Sequence, residues 1–274
     1  MLLFSFVPPS VRLLSDTMSA YQIVGIRAVL GVSMALAYFS WAGLYRMKTE
    51  RPGFHFVRAT CNVVGMVLWF WALKHVELAK GIAIHFTMPL FIAVFAVMFL
   101  RERIDLRRAM AMLVGFAGVL VILRPGMIGI GLPELAILAS AALYGVATVF
   151  VKVMVRRDAP FTITFYTNLF MLVWCTVPAV LYWAPITIAD ILPILGLGVC
   201  GLMAPFLFTV ALQRSDVSLA GAFDFLRLPF TAAFAFALFG EVPDLFVWIG
   251  AAIIFASTYY ITMRESRRTG RGYG

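Results

Sequence analysis

Charged residues and the side chains of metal and redox chemistry are scarce in this sequence. Of its 274 residues only 13% are charged, and it contains three histidines and three cysteines. Cys61, Cys175 and Cys200 lie singly within apolar runs and lack CxxC or Cys/His spacing, so we interpret them as small buried apolar residues. The motifs of zinc peptidases, serine hydrolases and phosphate-binding loops are also missing. We therefore predict neither an enzyme nor a bound cofactor or metal ion.

Apolar residues are in excess: they make up 63% of the chain, and the mean hydropathy is +0.97. This composition excludes an ordinary soluble domain, a disordered chain, a disulfide-stapled scaffold and a nucleic-acid-binding surface. A membrane-spanning helix needs about 20 apolar residues, so ten spans take about 200 and leave about 70 for connections. We predict an all-α polytopic membrane protein without a separate domain outside the bilayer.

Ten apolar runs, separated by short charged or Pro/Gly-containing breaks, are the candidate transmembrane helices. They cover residues 2–15, 19–44, 56–74, 80–100, 106–124, 132–155, 161–184, 189–212, 216–240 and 243–263. The first run is too short to span the bilayer as a helix, and Pro8 and Pro9 interrupt it. The first of the ten transmembrane helices is therefore predicted to be short or truncated.

Basic residues outnumber acidic ones, with a formal net charge of +9, and they gather in alternate connections between the runs. The connections after the second, fourth and sixth runs and the segment 264–274 are rich in arginine and lysine, whereas the intervening connections have few or none. Cytoplasmic loops of membrane proteins carry this excess. We predict that both termini are cytoplasmic and that the protein lies in the cell inner (plasma) membrane.

Two segments of the sequence resemble each other. The segment from Ala72 aligns with the segment from Ala211, and Pro89 matches Pro229, 140 residues later. Each copy holds five runs, and an odd number places the copies in opposite orientations, the inverted-repeat architecture of secondary transporters. The predicted units are a first five-helix repeat, a second five-helix repeat and a basic cytoplasmic tail, residues 1–124, 132–263 and 264–274.

Several motifs resemble those of one transporter family. The segment 79–91, AKGIAIHFTMPLF, is similar to the fourth span of EamA-type members of the drug/metabolite transporter superfamily, and four further stretches are similar to other parts of that family, residues 101–103, 114–120, 240–241 and 248–252. The resemblance covers essentially the whole chain. It implies ten helices in two inverted five-helix repeats, a central cavity lined by both halves, and alternating access.

Ionisable residues inside apolar runs are costly in a bilayer and therefore mark candidate transport residues. Asp224 and Arg227 in the ninth run are three residues apart, a spacing that permits an ion pair. Pro229 follows them and Pro89 occupies the matching place in the fourth run, so we predict bent helices and hinges at both prolines. The alternative is a purely structural pair with kinks that serve packing.

Four further ionisable residues need an explanation. Lys80 and His85 depart from the family pattern, in which Glu and Ser are common at these places. For Lys80 the alternatives are a cavity role and a side chain that reaches the outer interface. For His85 they are substrate contact or proton transfer, and a neutral hydrogen-bonded packing role. Arg27 is a candidate for binding a carboxylate or pairing with Asp224, whereas Arg58 is predicted to reach the inner interface.

Trp69 and Tyr144 are the aromatic residues that we assign to the cavity lining, because each adds a polar tip to a large apolar face. Most other aromatic side chains in the runs are interpreted as packing residues. The predicted substrate-binding set is Arg27, Trp69, Lys80, His85, Tyr144, Asp224 and Arg227.

The charges in this set indicate a substrate class. Arg27, Lys80 and Arg227 outnumber the acidic residue, and a positive excess at low dielectric favours an anionic or zwitterionic substrate. We predict a secondary active transporter that exports a small carboxylate-bearing metabolite, an amino acid or a derivative such as an opine-type metallophore. Asp224 and His85 are the candidates for proton coupling.

Two alternatives stay open at this point. One is uptake of a cofactor-like molecule, riboflavin or S-adenosylmethionine, and the other is a non-transporting membrane interaction subunit. The expected partners are a small-molecule substrate, the lipid bilayer, a proton or other coupling ion, and a second copy of the chain in a homodimer.

Overall fold

A computed structural model describes residues 2–43, 49, 52–100, 106–124, 131–154, 158–214 and 227–269. Regular structure within these ranges is entirely helical, which confirms the predicted all-α class for this part of the chain. The helices are α1 Leu2–Ser15, α2 Ala20–Ala42, α3 Pro52–Leu73, α4 Leu78–His85, α5 Met88–Leu100, α6 Leu106–Leu123, α7 Leu132–Met154, α8 Pro160–Leu181, α9 Ile188–Arg214, α10 Arg227–Phe239 and α11 Leu245–Thr269.

Many of these helices are suited to a bilayer. Five stretches of the described residues are long and apolar enough to cross a membrane, Ala20–Trp41, Pro52–Leu73, Leu78–Phe99, Leu132–Val151 and Phe161–Leu181. Shorter apolar helices accompany them, and large apolar side chains such as Val177 and Leu192 point outward, two-thirds exposed or more. Extensive outward apolar surface on helices that are long enough to span a bilayer is typical of contact with lipid. The chain is therefore a multi-pass membrane protein.

The helices pack in pairs that join the first half of the chain to the second. Helix α1 packs on α9, α2 on α8, α3 on α7 and α6 on α11, while α5 packs on α7 and α10 on α1. Helices α1, α2, α3, α5 and α6 of the first half correspond in order to α7, α8, α9, α10 and α11 of the second half. When every helix is replaced by its counterpart, each of these pairs becomes a pair that is also in the set. The packing thus has the exchange relationship expected of two similar halves.

Helices α6 and α11 cross at two glycines. A Cβ atom built on Gly250 would lie 2.6 Å from the carbonyl oxygen of Gly118, and one on Gly118 would lie 3.0 Å from the carbonyl oxygen of Gly250. Helices in a bilayer associate through such close backbone contacts, because no hydrophobic force drives them together there.

The fourth apolar run is interrupted in the middle. Helix α4 ends at His85, Phe86 and Thr87 form a turn, and α5 begins at Met88, with Pro89 as its second residue. Proline is well accommodated in a first helical turn, where its missing N–H has no partner to lose. This corrects the prediction of one bent helix: the run is two helices. Pro229 lies in helix α10, which is described from Arg227 to Phe239.

Candidate functional site

Three predicted site residues meet at the end of α4. The imidazole ring of His85 contacts the rings of Trp69 from α3 and Tyr144 from α7, with centroid distances of 4.5 Å and 5.5 Å. Trp69 is 5% exposed, so its indole is part of the protein interior. The structure therefore brings Trp69, His85 and Tyr144 together from three helices, and from both halves of the chain.

A hydrogen bond one turn away holds α3 and α7 in this arrangement. Ser140 donates from Oγ to the carbonyl oxygen of Gly65, at 2.7 Å, and both residues are buried. Because Ser140 precedes Tyr144 by one turn and Gly65 precedes Trp69 by one turn, this bond sets the separation of the two aromatic side chains. The absence of a side chain on Gly65 permits the approach, since a Cβ there would already be 3.3 Å from the Cβ of Leu143.

Two polar atoms at the turn between α4 and α5 are buried without a hydrogen-bond partner among the described residues: Nε2 of His85 and Oγ1 of Thr87. A buried polar atom without a partner costs free energy, so such atoms are suited to bind a molecule that supplies the partner. The sequence reasoning missed Thr87. The sequence feature that could have identified Thr87 is its position two residues before Pro89, at the break between α4 and α5.

Both predicted arginines act on this cluster electrostatically. The charge of Arg227 interacts with His85 and Tyr144, and that of Arg27 interacts with Tyr144. Arg27 also donates from Nη1 to the sulfur atom of Met66, at 3.1 Å. The guanidinium of Arg227 lies over the phenyl ring of Phe4 in α1, with its carbon atom 5.2 Å from the ring centroid. The cluster thus has positive charge from α2 in the first half and from α10 in the second.

Asp224 lies outside the described residues, and so does any contact between it and Arg227 or Arg27. Its assignment to substrate binding and proton coupling stays a prediction from the sequence.

Lys80 is held in an ion pair. Its Nζ lies 2.8 Å from Oε1 of Glu134, at the start of α7, and both side chains are largely buried. The other oxygen of Glu134 accepts from the amide of Gly131 at 3.1 Å. The charge of Lys80 is thus compensated by a carboxylate of the other half, and its two predicted alternatives, a cavity role and a place at the outer interface, stay predictions.

Glu241 binds the same end of α4, at its first residue. One of its oxygens accepts from the amide of Leu78, at 2.9 Å, and the other pairs with Arg12. A carboxylate at a helix N-terminus binds amide groups that lack a partner within the helix. Helix α4 is therefore clamped by two carboxylates of the second half, Glu134 and Glu241, and its clamped position places His85 beside Trp69 and Tyr144.

Arg58 does not extend to the inner interface as predicted. Its guanidinium donates to the hydroxyl of Thr167 and to the carbonyl oxygen of Ile163, at 3.4 Å for the latter. The side chain is half-buried and joins α3 to α8. The sequence reasoning missed this role because both acceptors lie in the other half of the chain.

Comparison with known proteins gives a family match over nearly the whole chain. The model of the EamA-like transporter family matches residues 1–124 and 131–263. A riboflavin transporter of Vibrio cholerae serotype O1 is 30% identical over 249 residues, which are 90% of this chain and 84% of the relative.

Two other relatives are named for different transported molecules. An S-adenosylmethionine uptake transporter of Rickettsia bellii is 25% identical over 93% of this chain and 88% of its own. A pseudopaline exporter of Pseudomonas aeruginosa is 25% identical over 92% of this chain and 89% of its own. One solved crystal structure covers 98% of this chain and 97% of its own with a TM-score of 0.65 and 18% identity, a likeness that concerns the fold alone.

Proposed function

This chain belongs to the EamA-like transporter family, and we propose that it is a secondary active transporter that exports a small carboxylate-bearing metabolite by alternating access. The substrate class is an amino acid or an amino-acid-derived compound such as an opine-type metallophore. The chain is a membrane transporter and not an enzyme, as its family and its relatives indicate.

The proposed topology has ten transmembrane helices in two inverted five-helix repeats, with both termini in the cytoplasm of an inner-membrane protein. The helix pairs that interconvert when the two halves are exchanged support the repeats. The alternation of basic and uncharged connections supports the orientation.

One observation carries the proposed site: Nε2 of His85, buried and without a hydrogen-bond partner among the described residues, lies in an aromatic cluster within electrostatic range of Arg27 and Arg227. A guanidinium binds a carboxylate through two parallel hydrogen bonds, and this interaction is strong at low dielectric. We assign substrate binding to Arg27, Trp69, His85, Tyr144 and Arg227. Asp224 and His85 remain the proposed proton-coupling groups, and Pro89 and Pro229 the proposed hinges.

Uptake of riboflavin is the second candidate function. The similarity to a riboflavin transporter favours it, and so do the indole, imidazole and phenol rings of the site, which can stack on a flat ring system. S-adenosylmethionine is disfavoured because its sulfonium cation would be repelled by Arg27 and Arg227. A pseudopaline exporter among the relatives is a precedent for the outward direction.

Transport into and out of proteoliposomes tests these proposals. The labelled probes are riboflavin, S-adenosylmethionine and a panel of amino acids, and both directions are measured. We expect an amino acid to move, Arg227→Gln to abolish its movement, and Arg124→Gln to leave it unchanged. Movement of S-adenosylmethionine would contradict the expected repulsion by Arg27 and Arg227. Arg124 is the matched control because it pairs with Asp244 away from the cluster. Riboflavin movement alone would establish the second candidate. A chain that moves none of the probes and co-purifies with a fixed partner would be an interaction subunit.

A further inference from the structure

The start of α3 contacts the second half of the chain through a group that the proposed site does not use. Nε2 of His55 lies 3.0 Å from Oδ2 of Asp158, which stands two residues before the start of α8. The hydroxyl of Thr49 is 3.2 Å from each oxygen of Asp158 and 3.1 Å from the histidine nitrogen. His55 is only 1% exposed although it lies in the first turn of α3.

Helix α8 covers this group. The ring of Tyr166 lies 4.7 Å from the imidazole of His55, and one turn further along α3 the guanidinium of Arg58 binds Thr167 and Ile163. The first two turns of α3 are thus attached to the second half by a carboxylate contact and by a guanidinium contact.

A corresponding group attaches the start of α9 to the first half. Oδ1 of Asp190 accepts from the hydroxyl of Thr17, between α1 and α2, at 2.9 Å. Its other oxygen accepts from the amide and the hydroxyl of Thr187, at 2.9 Å and 2.7 Å. Asp190 is 4% exposed. Its carboxylate is therefore committed to these hydrogen bonds.

The two groups occupy matching places in the two halves. Helix α9 corresponds to α3, and the connection between α1 and α2 corresponds to that between α7 and α8. When the two halves are aligned at the offset of 140 residues, Asp190 aligns with Glu50, the residue after Thr49. Asp158 aligns with Met18, the residue after Thr17. In each group an aspartate joins the beginning of the third helix of one half to the connection between the first two helices of the other half.

We propose that Thr49, His55 and Asp158 form an inner latch and that Thr17, Thr187 and Asp190 form an outer latch, which release in turn during alternating access. This proposal rests on the proposed transport function and on the proposed orientation, which places the inner latch at the cytoplasmic face and the outer latch at the opposite face. Opening either face requires the third helix of one half to move away from the other half, and each aspartate contact opposes that movement.

The latches act on the candidate site through α3. Helix α3 carries Trp69 at its outer end and His55 at its inner end. When the inner latch releases, the inner end of α3 is free to tilt away from α8, while the bond between Gly65 and Ser140 keeps its outer half against α7. The movement admits solvent to the site from the cytoplasm.

Side-specific labelling of a cysteine tests the latches without a transport substrate. The chain has its three native cysteines replaced by serine and Thr87→Cys introduced as the reporter at the turn beside His85. A membrane-impermeant maleimide is applied to inside-out and right-side-out vesicles. Asp158→Asn is expected to raise the labelling rate about threefold or more from the cytoplasmic face only, since each lost charged hydrogen bond shifts the population of closed states by that order.

Asp190→Asn is expected to raise labelling from the outer face only, and by less, because Arg12 and Glu241 also fasten that face. The matched control is Asp244→Asn, which removes a carboxylate at the start of α11 outside both latches. Unchanged labelling in both latch variants, or an increase at the same face for both, overturns the proposal. Size-exclusion profiles in detergent establish that the variants are folded.

Failure of the latches and failure of the proposed function give different results. A chain that labels in the expected side-specific way but moves none of the probe compounds retains the latches and loses the transport proposal. A chain that transports a probe while labelling is unaffected by Asp158→Asn and Asp190→Asn loses the latches alone.

Discussion

The Nζ atom of Lys80 and Oε1 of Glu134 are 2.8 Å apart, and this ion pair joins the short helix α4 to the beginning of α7. Five residues after Lys80, the same helix ends at His85, whose ring contacts Tyr144 of α7. Helix α4 is therefore attached to α7 at both of its ends. The first contact is electrostatic and structural, and the second belongs to the candidate site.

Reversing one charge of this pair should displace α4. In Lys80→Glu two carboxylates face each other at a largely buried position, and we expect a loss of about 1–3 kcal/mol in unfolding free energy, since breaking a partly buried pair costs more than a surface pair and less than a fully buried one. Thermal unfolding in detergent measures the loss. The double variant Lys80→Glu with Glu134→Lys should recover most of it. A swapped pair no more stable than the single variant would contradict this role.

Two substitutions of Arg27 should separate the contribution of its charge to substrate binding from that of its hydrogen-bond geometry. In Arg27→Lys the positive charge remains but the two-pronged hydrogen bond to a carboxylate is lost, so the KM of a carboxylate-bearing substrate should rise about 10-fold. In Arg27→Gln the charge is lost too, and KM should rise about 100-fold. Transport kinetics in proteoliposomes measure both. Equal KM values for the two variants and the parent chain would exclude Arg27 from the site.

Thr87 offers a test in which stability and transport change independently. Its hydroxyl is buried without a hydrogen-bond partner among the described residues, so Thr87→Val should leave the protein equally stable or more stable by up to about 1 kcal/mol. If the hydroxyl binds substrate, the same change should raise KM several-fold. Unfolding and transport are measured on one preparation. A KM that stays constant would place Thr87 outside the binding site.

The positions of the spans could be predicted from the sequence because lipid imposes one dominant requirement, long apolar runs with charged breaks. The run 132–155 corresponds to α7 at Leu132–Met154, and the run 161–184 to α8 at Pro160–Leu181. The break of the fourth run was not predicted, since a proline in the first turn of a new helix and a proline that bends a continuous helix look alike in sequence.

The candidate site was predicted in part for a related reason. A histidine inside an apolar run is costly in a bilayer, so the sequence alone marks His85 as a candidate site residue. The partners of Lys80 and His55 were not predicted, because Glu134 and Asp158 lie at the ends of distant runs and meet them only through the packing of one half on the other. Sequence patterns within one helix do not contain that information.

The crossing of α6 and α11 should tolerate no side chain at Gly250. The Cβ of Gly250→Ala would approach the carbonyl oxygen of Gly118 to 2.6 Å, so the helices must separate, at a cost of about 1–3 kcal/mol. The matched control is Gly53→Ala in the first turn of α3, where an added Cβ meets nothing within 4 Å and no loss is expected. Detergent unfolding midpoints compare the two. Similar midpoints for both variants would mean that the crossing is not tightly packed.

Proton coupling should depend on the two titratable residues assigned to it, His85 and Asp224. If substrate leaves in exchange for a proton, an imposed pH gradient, acidic on the side that receives the substrate, should accelerate transport in the parent chain. Asp224→Asn and His85→Gln should each remove this acceleration, because neither replacement takes up a proton near neutral pH. Exchange of labelled for unlabelled substrate without a gradient provides the control, since it should persist in whichever variant has lost coupling alone. Acceleration that survives in both variants would exclude these residues as the coupling groups, and a parent chain indifferent to the gradient would exclude proton coupling itself.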